Sequence, residues 1–216
     1  EANSFLASVD NPKYYLLYSL ELVTGLRLGE IVALRWEDID FDNKTISINK
    51  SAAIVSKKEQ KNDGVIHSEV IIQTPKTKKS VRKLYIEEPI ISLLKQEKLL
   101  QKERKLLCGD AYNLSGFVFT NENGGMLHPR SVQDHFKRTI KNVGLPNLHF
   151  HSLRHTAASI MLYNGVDIKT VQEILGHEDI QTTLDIYTHV IDELKRDGQK
   201  AIYNSIIFHE DYNYIA

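Results

Sequence analysis

Residues 151–158 read His151-Ser152-Leu153-Arg154-His155-Thr156-Ala157-Ala158, and the first four of them decide how the chain is read. If this stretch opens a helix, His151 and Arg154 stand three apart and both side chains face one site. A phosphate there would meet one permanent cation and one neutral donor or acceptor. Twenty-three residues beyond Arg154 comes Leu175-Gly176-His177, where a helix is predicted to stop at Gly176 and the histidine to project from the following turn. Ten residues further on is Tyr187. Toward the N-terminus, Thr24-Gly25-Leu26-Arg27-Leu28-Gly29-Glu30 places Arg27 between one helix ended by Gly25 and a second short one over 29–34.

The rest of the pattern gives mostly helices around one small antiparallel sheet, an α+β fold. An apolar stretch over 14–23, following Pro12, has helical spacing. Residues 36–43 are acidic and turn-like, and 45–48 alternate as a strand, with two more strands over 70–73 and 81–86. Between those last two, Thr74-Pro75-Lys76-Thr77-Lys78-Lys79-Ser80 reads as a hairpin tip. Residues 56–64 are polar enough for a mobile loop. Helices are predicted over 89–107, 131–143, 153–164, 168–175 and 190–203, with a brief strand over 117–120. The tail over 202–216 carries Ile206, Ile207, Phe208, Tyr212 and Tyr214, which is apolar for a free end.

Composition narrows the function classes. With 216 residues, 42% of them apolar and 25% charged, the chain can bury a substantial core. It contains no stretch of roughly 18 to 20 apolar residues and no signal-peptide pattern, which points to the cytoplasm. The lone cysteine, Cys108, excludes an internal disulfide and a thiolate zinc site, and its expected role is packing. The net charge of -1 is low for a phosphate binder, but its distribution is uneven. Residues 44–105 carry 15 Lys and Arg against 7 Asp and Glu, whereas residues 1–42 and 178–216 are acidic. Such a chain can grip phosphate with one surface and leave the other solvated or facing a partner.

Taken in order, the Arg27 motif, a lysine in a hairpin, His-x-x-Arg, Leu-Gly-His and a downstream tyrosine resemble the tyrosine recombinase family. The likeness runs from about residue 11 to about residue 200, is most specific over 151–158 and 175–187, and is nearest to integrases of prophages and integrative conjugative elements of Gram-positive bacteria. The resemblance implies site-specific integration or excision of a mobile element. Tyr187 would attack a phosphodiester to give a 3′-phosphotyrosine and a free 5′-hydroxyl, without metal, ATP or other cofactor. Arg27 and Arg154 hold the family's two arginine positions, as guanidinium forks suited to phosphate oxygens. His151 would assist loss of the phenolic proton. Lys76 best fits the general acid that protonates the leaving 5′-oxygen, with Lys78 or Lys79 as alternative registers. His177 is an auxiliary donor and wall beside the phosphate, and Glu30 buttresses Arg27.

The resemblance also implies partners: double-stranded DNA attachment sites, a homotetramer on DNA formed from monomers, and an excisionase or host DNA-bending factor. Bases or phosphates would be met by the basic stretch 44–105 or by the helix over 131–143, with Arg130, Lys137 and Arg138. Family members carry a helical core-binding domain ahead of the catalytic one, and integrases often add an arm-binding domain. Neither fits before Pro12, so the chain is expected to be a single catalytic domain that alone binds DNA weakly and cuts slowly. The tail over 202–216 is expected to dock on a neighbouring protomer or in cis.

Four rival readings stand beside this one. His149, His151 and His155 have spacings that suit a shared ion, but no His-Glu-x-x-His pattern accompanies them, and His155 reads as a structural helical residue. Tyr163 and Tyr203 follow no Leu-Gly-His turn and read as core or surface aromatics. At the level of function, the alternatives are an inactive DNA-binding accessory factor and a type IB topoisomerase-like activity. Filled catalytic positions argue against the first, and dependence on a specific site separates out the second.

Overall fold

In a computed structural model, residues 2–57, 67–74, 81–145, 148–176 and 181–206 are described. Helix α1 (Ala2–Ala7) leads into α2 (Pro12–Thr24). The start of α2 is set by Asn11, whose side chain accepts the Lys13 and Tyr14 amides at 3.1 and 3.4 Å, and by Pro12 in the first turn. Its buried residues Leu16, Leu17, Tyr18 and Leu20 make it the axis of the core. After α3 (Leu28–Ala33) come β1 (Ile39–Asp40), β2 (Thr45–Ile48), β3 (Ser51–Lys57), β4 (His67–Gln73) and β5 (Arg82–Tyr85). Then follow α4 (Glu88–Cys108), α5 (Pro129–Asn142), α6 (His151–Tyr163), α7 (Ile168–Leu175) and α8 (Gln181–Ser205).

The strands form two small antiparallel sheets among the described residues, one of three strands in the order β1-β2-β5 and one pairing β3 with β4. This corrects the expected hairpin. β4 pairs with β3, from Ser51 opposite Gln73 to Lys57 opposite His67, and β5 pairs with β2. The segment 74–80 thus joins strands of different sheets rather than capping a two-stranded pair, and its residues 75–80 lie outside the described ones. β3 itself escapes the sequence pattern because Ala52 and Ala53 dilute its β-branched run. Of the loop expected over 56–64, residues 56 and 57 belong to β3 and the remainder is not described.

Helices α1 to α5 share one core with the three-stranded sheet, where Phe136 meets Phe5, Tyr18 and Phe150 edge to face and Phe5 lies tilted against Tyr18. A second cluster of Ala158, Leu162, Val171, Leu175 and Val190 binds α6, α7 and α8. Two further expectations need correction. The last helix starts at Gln181 rather than 190, so Tyr187 lies inside it. Thr182, Thr183 and Thr188 weaken its helical signature, but Ile186 and Val190, four apart, both pack into the second cluster. Cys108 is exposed, since the final turn of α4 runs past the core and leaves Leu106 and Leu107 84% and 86% exposed as well.

Gly29 lets α3 pack tightly against β3. A Cβ there would lie 2.4 Å from the Ala52 carbonyl oxygen and 2.6 Å from Ser51 Oγ. Gly29→Ala is therefore expected to destabilise the fold by about 1–3 kcal/mol, read as a lowered thermal midpoint.

Candidate active site

The three motifs meet at the ends of helices. Gly25 closes α2 and Gly176 closes α7, both in the left-handed conformation at φ 61° and 67°. A side chain at Gly25 would overlap Leu175, its Cβ falling 2.3 Å from Cδ2, so glycine is what lets α2 and α7 end against each other. Helix C-termini leave carbonyls unsatisfied and carry partial negative charge. The arginines take up those carbonyls. From α6, Arg154 donates through Nη1 to the Gly25 carbonyl and through Nη2 to that of Leu175 at 2.8 Å. From the cap of α3, Arg27 donates through Nη2 to the Gly176 carbonyl at 2.7 Å.

The two arginines differ in exposure. Arg154 is 1% exposed, and burial, with Arg27 pushing the same way, draws its guanidinium down to about 9. It still carries its charge at neutral pH. The Arg27 side chain is 37% exposed, so it faces both the protein and whatever approaches from solvent.

Glu30 ties Arg27 to a third arginine. Its Oε2 accepts the Arg27 amide at 2.9 Å and its Oε1 the Arg27 guanidinium at 3.1 Å. Arg82, from the first residue of β5, donates to both Glu30 oxygens at 3.1 and 2.9 Å and through Nε to the Ile174 carbonyl at 2.6 Å. Burial would raise the Glu30 carboxyl, but its bonds to Arg82 and Arg27 outweigh that and hold it below the ordinary carboxylate range. Glu30 thus supports Arg27 as expected, whereas the role of Arg82 is not read from the sequence. Its signal there is slight: one arginine following a run of lysines, 52 residues from Glu30. Arg27, Arg82 and Arg154 together outnumber the Glu30 carboxylate, so an anion entering here is met by surplus positive charge.

His151 opens α6 as the spacing predicts, one turn before Arg154. Burial, then His155, Arg154 and Arg27, lower its pKa from the ordinary value, which keeps the imidazole neutral at neutral pH. Its ring meets that of His155 edge-on at 4.7 Å, the contact that His155 makes from one turn along the helix. With Glu21, Lys137, His149 and Phe150, His151 lines a cavity of about 540 Å³. Tyr187 stands 38% exposed on α8, which packs directly on α6 and α7. Lys76, Lys78, Lys79 and His177 lie outside the described residues. Tyr163 and Tyr203 are surface aromatics, 52% and 67% exposed.

An arginine-lined site where helix ends converge sits in a fold shared with tyrosine recombinases. The Tn1549 transposon integrase, solved with transposon right-end DNA, superposes with a TM-score of 0.69 at 26% identity, covering 92% of this chain and 63% of that one. The chain belongs to the phage integrase family, whose profile matches residues 1–193. It is 36% identical over 189 residues to a XerC-like tyrosine recombinase of Caldanaerobacter subterraneus subsp. tengcongensis, covering 86% of this chain and 48% of that protein. To the ICEBs1 integrase of Bacillus subtilis it is 30% identical over 185 residues, covering 84% and 46%. The chain thus spans about half the length of the curated relatives it matches.

Proposed function

We propose that this chain is the catalytic domain of a site-specific recombinase that integrates and excises a mobile element, cutting and rejoining DNA through Tyr187. The observation that carries this reading is the fixing of Arg27 and Arg154 on the carbonyl ends of α2 and α7, with neutral His151 one helical turn from Arg154. Two preorganised guanidinium groups can stabilise the charge on the nonbridging oxygens of a five-coordinate phosphorus. The Tyr187 oxygen bonds to phosphorus and passes its proton to His151. The bond from phosphorus to the 5′-oxygen breaks, and Lys76 protonates that oxygen, with Lys78 and Lys79 as the alternatives of register. His177 supplies a further donor beside the phosphate. Attack by a 5′-hydroxyl on the phosphotyrosine reverses each step and reseals the strand.

In this reading the substrate is a double-stranded attachment site, gripped in part by Arg130, Lys137 and Arg138 on α5. Four copies assemble on DNA from monomers, aided by an excisionase or a DNA-bending factor. The exposed Ile202 and Ile206 near the C-terminal end of α8 suit docking on a neighbouring copy or in cis. No helix among the described residues is long and apolar enough to cross a membrane, which suits work on cytoplasmic DNA.

The test is a supercoiled plasmid bearing two end junctions of the element that carries the gene. Since the chain alone is expected to bind DNA weakly and cut slowly, prolonged incubation at high protein concentration is expected to yield two smaller circles, accumulating slowly. Relaxation alone would favour the topoisomerase-like activity, and binding without any change in the DNA the accessory factor. A second expectation follows from His151. Because its pKa is lowered, the neutral base persists as pH falls through the ordinary histidine value of about 6.5, and the rate drops only below it. Cleavage rates measured against pH, with His151→Gln as control, check this; an acid limb centred above pH ~6.5 contradicts it.

A further inference from the structure

Glu21 lies in α2 one turn before Gly25, with no surface reaching solvent, and neither of its carboxyl oxygens has a hydrogen-bond partner among the described residues. The Nε of Arg154 is buried in the same condition. α2 and α6 pack directly on each other, and Glu21 and Arg154 each feel the other's charge. An unpaired buried donor and an unpaired buried acceptor are each destabilising, and here the two occur on helices that pack on each other.

The chemistry of Arg154 gives this pairing a use. Nη1 and Nη2 are each anchored to a helix-end carbonyl, and their remaining N–H groups are the ones available to an oxyanion. The plane of the guanidinium is fully fixed only when its Nε edge is held too. Glu21 also borders the cavity that His151 lines.

We propose that Glu21 is a positioning residue for Arg154, its carboxyl oxygen accepting the Nε–H when a phosphate enters and so locking the guanidinium plane for strand cleavage. The inference rests on the recombinase reading. Burial outweighs the pull of Arg154 and favours the protonated acid, which still offers a carbonyl oxygen as acceptor, so the role needs no second charge.

The test compares the full chain with Glu21→Leu and Glu21→Gln on duplexes spanning the ends of the element, carrying 5′-bridging phosphorothiolate linkages that trap the covalent adduct. Thermal midpoints are measured alongside. Glu21→Leu keeps the bulk and removes the unpaired oxygens, so its midpoint is expected to equal or exceed the parent's. Its adduct formation is expected to slow on the order of 10-fold or more. Glu21→Gln, which keeps an acceptor, should retain most of the rate. Parental adduct formation by Glu21→Leu overturns the proposal, as does a Glu21→Gln as slow as Glu21→Leu, or a Glu21→Leu midpoint well below the parent's. No adduct from the parent protein overturns the recombinase reading and this inference with it.

Discussion

Tyr187→Phe is expected to abolish strand cleavage, with a loss on the order of 10⁵-fold or more, while DNA affinity stays near that of the parent. The substitution removes a single oxygen. Ile186 and Val190 rather than Tyr187 anchor α8 to the second core cluster, and the ring is already 38% exposed, so the fold has little to lose. Without the phenol no phosphotyrosine forms, and neither Tyr163 nor Tyr203, the exposed tyrosines weighed as alternatives among the described residues, is expected to replace it. Tyr163 points its hydroxyl at Asp197, 3.4 Å away, and Tyr203 lies four helical turns beyond Tyr187. Denaturing gels read cleavage and mobility shifts read binding. Cleavage persisting in the variant would mean that another group attacks.

Arg154→Ala is expected to damage both activity and stability. The cleavage rate should fall on the order of 10²- to 10³-fold, as when one preorganised oxyanion donor is removed. Stability should fall by about 3 kcal/mol, because the Gly25 and Leu175 carbonyls lose charged donors in a buried place. Arg154→Lys should restore little, since one ammonium cannot bridge two helix ends and also face a phosphate. Thermal melts and cleavage assays on both variants check this. An Arg154→Ala protein as stable as its parent would contradict the anchoring role.

Much of the site is legible in the sequence because it depends on local rules. Pro12 announces the start of α2, Gly25 and Gly176 announce the ends of α2 and α7, and His151 and Arg154 are related by one turn of helix. Glu30 falls where an N-terminal helical carboxylate reaches back to its own cap. The misread parts depend on partners distant in sequence or on propensities that packing overrides. Nothing around Arg82 tells that it crosses to Glu30 and Ile174. The β-branched run at 70–72 shows a strand without showing that its mate is β3 rather than β5. The threonines of α8 mask a helix that its second cluster stabilises, and Cys108 reads as core only because cysteines usually are. Glu21 would read as an ordinary solvated helix residue were its neighbours not visible.

The central claim is that one hydroxyl, that of Tyr187, becomes covalently attached to DNA. The most direct measurement is peptide mapping by mass spectrometry of the adduct trapped on a phosphorothiolate duplex. The expected result is a 3′-phosphonucleotide mass on the peptide containing Tyr187 and on that residue within it. A nucleotide mass on any other residue, or a DNA-bound protein that never forms a denaturation-resistant adduct, would contradict the account.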